Sequence, residues 1–191
     1  MDLSLAALCL AFAWAQLVEF ARSHRPSALL IVVTEILFAG FFLVRRPADA
    51  VSRSPWDWIA TAGGVLAPLL LRPSAAGHDL LAAQVLQIVG GVGSLFGVLH
   101  LNRSVGVVPA HRVVRWRGAY RLVRHPLYAS YLLTGAGYVL SNPSAANAVV
   151  LAAGMAFQVA RIFNEERFLS RYPEYRRYQA LTRWRLIPYV F

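Results

Sequence analysis

The sequence predicts an all-α, multispanning membrane protein: a bundle of five or six helices ending in a helical hairpin and an amphipathic tail. Three observations predict it. The 191 residues are 58% hydrophobic and only 15% charged, well under the roughly 25% charged content of an average soluble domain. Apolar runs approaching the ~20 residues of a helical span recur along most of the chain. The connectors between them combine arginine with proline, glycine or serine, residues that stop helices.

Taken in order, the predicted helices cover residues 3–21, 27–44, 56–71, 80–101, 126–140 and 145–163. The first carries Asp2 where a secretory signal would be basic, and it runs on into "FARSHRP" without a cleavage site. It therefore reads as a retained membrane helix. The second holds Glu35 within an apolar run, a candidate for the path of a substrate. In the fourth, "GGVGSLFG" sets Gly93 and Gly97 four apart, the spacing that lets membrane helices approach closely. Residues 102–125 then turn polar and arginine-rich, and a connection of that length is either functional or disordered. The last two helices meet at "SNPS", which predicts an antiparallel hairpin with both arginine-rich ends on one side. Beyond 163 the chain continues as the end of that helix, breaks at Pro173, and becomes a basic, tyrosine-rich segment expected to lie on the bilayer surface. One domain spans 1–191, with 1–79 as generic spans and 80–191 as the half that carries chemistry.

The net charge is +10, and all 19 basic residues are arginine. Six fall between Arg103 and Arg124 and seven between Arg161 and Arg185. Such clustering marks cytoplasmic segments, and it predicts a multi-pass protein of the cytoplasmic membrane with its pocket facing the cytoplasm. The rule conflicts with itself around the second helix, because "RSHRP" and "RRPADAVSRSP" flank it on both sides. Nucleic acid is not an expected partner, since no soluble fold or basic helix accompanies the charge. Cys9 is the sole cysteine, which excludes an intramolecular disulfide. No metal site is predicted: His24, His78, His100 and His111 have no ligand spacing among themselves.

Two constellations can carry chemistry. In "RLVRHPLYASY", Pro126 suits the first turn of a helix, which puts His125 at the N-cap. The free N–H groups and dipole of that helix end, flanked by Arg121 and Arg124, suit an anionic group. Tyr128 follows one turn later. The plainer reading is a juxtamembrane anchor of arginines and tyrosines. In "RIFNEE", Arg161 and Glu165 share a helix face, with Glu166 adjacent. The plainer reading there is an intrahelical salt bridge. Ionisable groups at the end of a membrane helix are expensive unless they face protein or water, and the hairpin brings this cluster beside His125.

At these residues the chain resembles the isoprenylcysteine carboxyl methyltransferase family, within the wider group of integral-membrane methyltransferases that includes phospholipid N-methyltransferases. The matching runs are "HRVVRWRGAYRLVRHPLYASYLL" and, one hairpin later, "EERFLSRYPEYRRYQALTRWRLIP". Together they cover about residues 90–189. The resemblance implies S-adenosyl-L-methionine as cofactor, held by Arg112, Val113, Val114, Arg115, Tyr120, His125, Pro126, Leu127, Tyr128 and Glu165. It implies Arg161 as the substrate-facing, catalytic arginine and a lipid-like methyl acceptor drawn from the membrane, an isoprenylcysteine-like carboxylate first among them. A carboxylate acceptor needs a cation to position it, which a guanidinium does with a planar fork; an amine acceptor needs proton removal by His125 or a glutamate. The alternatives are a phospholipid amine N-methyltransferase, an NADPH-dependent membrane reductase, and a non-catalytic lipid-binding membrane protein.

Overall fold

The computed structural model describes residues 2–24, 26–74 and 80–191. Its helices are α1 (Asp2–Ser23), α2 (Pro26–Val44), α3 (Pro55–Leu66), α4 (Leu81–Leu101), α5 (Pro126–Ser141), α6 (Ala145–Leu169) and α7 (Pro173–Leu181). Six form the bundle, and α7 belongs to the tail. Proline opens α3, α5 and α7, where its missing N–H has no intrahelical partner to lose. Pro68 acts in the opposite sense: the predicted 56–71 helix ends as α-helix at Leu66 and tightens into a 3₁₀ turn over Ala67–Leu70. Ser144 caps α6 by accepting a hydrogen bond from the Asn147 amide at 3.1 Å.

Asp2–Arg22, Leu81–Ser104 and Ala145–Leu169 are long and apolar enough to cross a membrane, and Ala28–Val44 is a shorter apolar helix. Large apolar side chains stand outward along the bundle, Trp14 and Val149 each at 68% exposure. In water that surface would be a liability; in a bilayer it is the solvated face.

Glycine sets how the helices pack. A Cβ at Gly90 would lie 2.7 Å from the Ser130 carbonyl oxygen, and one at Gly97 2.9 Å from Leu127, so α4 and α5 meet along their backbones. The glycine face predicted for α4 therefore packs on α5. α5 and α6 form the predicted antiparallel pair, but they touch sparingly: α5 packs mainly on α4, and α6 mainly on α3. The hairpin is splayed, and a cavity occupies the gap.

The polar segments collect at one end. There Arg45 pairs with Asp2, Arg103 donates from Nε to the Val44 carbonyl at 2.6 Å, and Arg112 donates to the Arg46 carbonyl at 3.1 Å. A two-residue antiparallel pairing of β1 (Ala50–Val51) with β2 (Ala110–His111) completes the tie, with Ala50 opposite His111. Residues 102–125 are thus an ordered segment laced to the α2–α3 connector. Gly118, at φ +61°, allows the turn packed on His100. At the opposite end, Asn147 accepts from the Arg72 amide at 3.0 Å and donates to the Arg72 and Asn142 carbonyls, both at 2.8 Å.

In the tail, the buried tyrosines of α7, Tyr175 and Tyr178, pack on Tyr120, Phe168 and Leu169. Burial pushes the Tyr178 phenol above its ordinary value, so it stays protonated and donates to the Tyr120 carbonyl at 2.8 Å.

Candidate functional site

A cavity of about 490 Å³ lies between α5 and α6, with α1, α2 and the end of α3 as its further walls. Its head, at the polar end, is lined by the 104–110 segment with Arg112, Tyr120, His125, Tyr128, Arg161 and Glu165. Its depth is lined by apolar side chains such as Leu8, Phe12, Ile31, Leu132, Leu151 and Met155. One continuous space therefore joins a charged head to a greasy channel at the level of the membrane helices.

The head is built from one turn of α6 and the first turn of α5. Arg161 and Glu165 share the cavity face of α6 by their four-residue spacing. Tyr128 stands opposite, donates to Glu165 Oε2 at 3.1 Å, and presents its ring to the Arg161 guanidinium, 5.0 Å from the ring centroid. Arg161 is 7% exposed and does not close the predicted intrahelical pair. It donates instead to Gln158 Oε1 at 2.8 Å and to the Val107 carbonyl at 3.1 Å. Among the described residues no carboxylate pairs with it, so a buried cation faces the cavity with its charge open to a ligand.

Glu166 does different work. One helix step beyond Glu165, it is 5% exposed and turned toward the 120–125 segment. Its carboxylate accepts from Arg124 Nε at 2.6 Å, His125 Nε2 at 3.2 Å and Arg185 Nε at 2.9 Å. Because Glu166 can only accept, His125 carries its proton on Nε2 in this contact. Arg124 also donates to the carbonyls of Thr182 and Arg183, and the amides of Arg124 and His125 donate to the carbonyls of Trp184 and Arg185. The tail is thereby sewn to the N-cap of α5, which fixes the His125 ring stacked 5.5 Å from Tyr128.

The residues nominated from sequence divide accordingly. Arg112, Tyr120, His125, Leu127, Tyr128, Arg161 and Glu165 line the cavity. Val113, Val114, Arg115 and Pro126 do not: Val113 is exposed and its carbonyl accepts from Ser104, Val114 packs on the Tyr120 cluster, Arg115 reaches the Ser104 hydroxyl at 3.4 Å, and Pro126 is buried in the first turn of α5. The anion site expected between Arg121 and Arg124 is not formed, since Arg121 is exposed and Arg124 is consumed by Glu166 and the tail. Glu35 does reach the cavity wall, beside Cys9. His24, His100 and His111 lie apart, and His78 falls outside the described residues.

Residues 81–171 match the sequence model of the isoprenylcysteine carboxyl methyltransferase family. That stretch, just under half of the chain, is similar to the family. The match starts at α4 and stops just past α6, so it contains every cavity-head residue named above and leaves out α1–α3 and the tail. No curated protein matches the chain. The match and the apolar helices together support an integral-membrane methyltransferase.

Sequence reasoning missed three parts of the site. Gln158 and the Val107 carbonyl orient Arg161, and Arg185 braces Glu166 from the tail. A signal existed for Gln158, one turn before Arg161 on the same face. None existed for Val107 or Arg185, which arrive through the fold.

Proposed function

We propose that the protein transfers a methyl group from S-adenosyl-L-methionine to a lipophilic acceptor, with a carboxylate as the acceptor group and an isoprenylcysteine-like molecule as its class. The observation that carries this reading is the continuity of the cavity: an unpaired buried arginine and a glutamate at its head, and an apolar channel behind them.

The donor set suits the cofactor. A zwitterion with a sulfonium needs a carboxylate for its ammonium, a cation for its carboxylate and aromatic faces for its positive sulfur. Glu165, Arg112 and the rings of Tyr120 and Tyr128 offer these in one space, whose volume lies within the ~300–1,000 Å³ usual for small-molecule sites. When bound, S-adenosyl-L-methionine supplies an activated methyl group for in-line displacement. The chain's own work is to orient and to exclude water. Arg161, held at two donors by Gln158 and Val107, points its remaining face at an acceptor carboxylate. Its contacts are neutral, so it can align the nucleophile as a two-point fork. Tyr128 and Glu165 hold the opposite wall. A carboxylate acceptor requires no general base, in keeping with a His125 Nε2–H committed to Glu166. The apolar channel takes the acceptor's chain from the membrane side, and since 1–79 and 80–191 both line it, we treat the chain as one functional unit.

Calorimetry with S-adenosylhomocysteine tests the pocket. The parent should bind stoichiometrically, and Glu165→Ala should weaken binding roughly tenfold or more, the loss of one charge-assisted hydrogen bond of about 1.5–3 kcal/mol. Unchanged affinity in Glu165→Ala would remove the cofactor assignment.

Orientation follows from charge. Arg22 and Arg72 lie at one end, and the other described arginines lie at or near the polar end, an imbalance that supports a cytoplasmic pocket in the cytoplasmic membrane. Single cysteines replacing Arg117 and Arg177 on a Cys9→Ala background should label only from the cytoplasmic side; labelling from outside would reverse it.

A further inference from the structure

A second pocket, of about 670 Å³, lies on a different face of α6, between its last turn and the start of α3. We propose that it binds the headgroup of an anionic phospholipid that carries a free hydroxyl, of the phosphoglycerol type. The residues that define it are Ser52, Arg53, Asp57, Asn164, Arg167 and Arg171. None of them belongs to the methyl-transfer cavity.

The case begins with two buried polar atoms. Asp57 is 4% exposed and Asn164 5%. Asp57 Oδ2 accepts from the Ser52 hydroxyl, while its Oδ1 is buried with no hydrogen-bond partner among the described residues. The nearest cation, Arg167 Nη2, is 3.9 Å from that oxygen, beyond hydrogen-bonding range. Asn164 Oδ1 accepts from Arg167 Nη2 at 2.9 Å, and the buried Asn164 Nδ2 has no partner among the described residues. Buried polar groups are normally satisfied, and an unpartnered acceptor and an unpartnered donor on two residues that line one pocket call for a ligand. Hydroxyls suit both, because a hydroxyl can donate to Asp57 Oδ1 and accept from Asn164 Nδ2.

Charge and depth specify the rest. Arg53, Arg167 and Arg171 line the pocket with a single carboxylate, Asp57, leaving it cationic and suited to a phosphodiester. Arg167 lies in the last turn of α6 and Arg171 just beyond the helix, where Arg171 is steadied over the Phe168 ring at 5.5 Å. Trp56 and Trp58, in the first turn of α3, are 52% and 44% exposed. Exposed tryptophans at the end of a membrane bundle mark the headgroup level, which favours a lipid over a free phosphate ester. Trp58 also donates from Nε1 to the Ser52 carbonyl at 3.2 Å, holding the pocket rim.

The test is native mass spectrometry of the full-length protein in detergent with four probes: phosphatidylglycerol, phosphatidylethanol, phosphatidylcholine and soluble glycerol 3-phosphate. Phosphatidylethanol keeps the charge and lacks the hydroxyls. Phosphatidylglycerol should bind about tenfold more tightly than either other lipid, and Arg167→Gln with Arg171→Gln, both at surface positions, should reduce its binding roughly tenfold or more. Asn164→Leu should remove the difference between phosphatidylglycerol and phosphatidylethanol. Equal binding of those two lipids to the parent, or an unaltered double variant, overturns the site. Glycerol 3-phosphate binding as tightly as the lipid overturns the membrane source.

Discussion

Glu166→Gln is the most informative single change, because it preserves shape while altering only what the side chain can accept. Three donors converge on this carboxylate, Arg124 and His125 on Oε1 and Arg185 on Oε2. An amide has one acceptor oxygen, so either Arg185 or the Arg124–His125 pair meets an N–H group. Arg124 cannot swing away: its side chain is 6% exposed and its Nη1 is bound to two carbonyls at 2.9 and 2.6 Å. Arg185, at 32% side-chain exposure, can turn to water. Removing one partner of a buried pair typically costs about 3–5 kcal/mol, and the escape of Arg185 places this change near the lower end, about 3 kcal/mol. For a chain of this length each kcal/mol moves the midpoint by roughly 2–4 °C, so thermal unfolding followed by tryptophan fluorescence in detergent should fall by about 6–12 °C. Hydrogen exchange should rise in residues 182–191 and 120–125 together. Glu165→Gln is the comparator. Its side chain is 34% exposed, with Tyr128 as its hydrogen-bonded neighbour, so its stability loss should be about 0.5–1.5 kcal/mol while ligand binding suffers. If Glu166→Gln unfolds within about 2 °C of the parent, or Glu165→Gln is the less stable of the two, the division between a bracing and a lining glutamate is wrong.

Other outcomes follow from the same geometry. Arg161→Lys keeps the charge but loses the fork held by Gln158 and Val107, so turnover should fall by tenfold or more, on the order of the loss of one oriented contact, while S-adenosylhomocysteine affinity changes little; steady-state kinetics beside calorimetry would show otherwise if both parameters moved together. Glu174 is held below the ordinary glutamate value of 4.5 by its own backbone N–H first and then by His111, whose Nε2 lies 2.6 Å from Glu174 Oε1. A depressed carboxyl stabilises the fold above its unfolded value and loses that contribution as pH falls through its folded one. Proteolysis at Arg176 and Arg177 should therefore accelerate as pH drops below about 4.5, and Glu174→Gln should flatten that dependence; identical pH profiles for the two proteins would exclude the contact as the cause.

What the sequence determined by itself is what depends on neighbours along the chain. The start of α5 was legible because proline suits the first turn of a helix, and the course of α6 because its apolar run lies between the "SNPS" turn and the break at Pro173. The pairing of Arg161 with Glu165 on one face followed from 3.6 residues per turn. Tertiary structure alone decided which polar group spends its charge on protein and which faces the cavity. Arg121 and Arg124 looked equivalent, yet one is exposed and the other is locked by Glu166 and two tail carbonyls. Glu165 and Glu166 are adjacent and chemically identical, and a turn of about 100° along α6 sends one to the cavity and the other to the brace. Pro126 and Val113 fell within the right motif and outside the cavity for the same reason. A side chain's partners are set by segments far away in sequence, here 104–110 and 182–191, and no local pattern encodes where those segments come to rest.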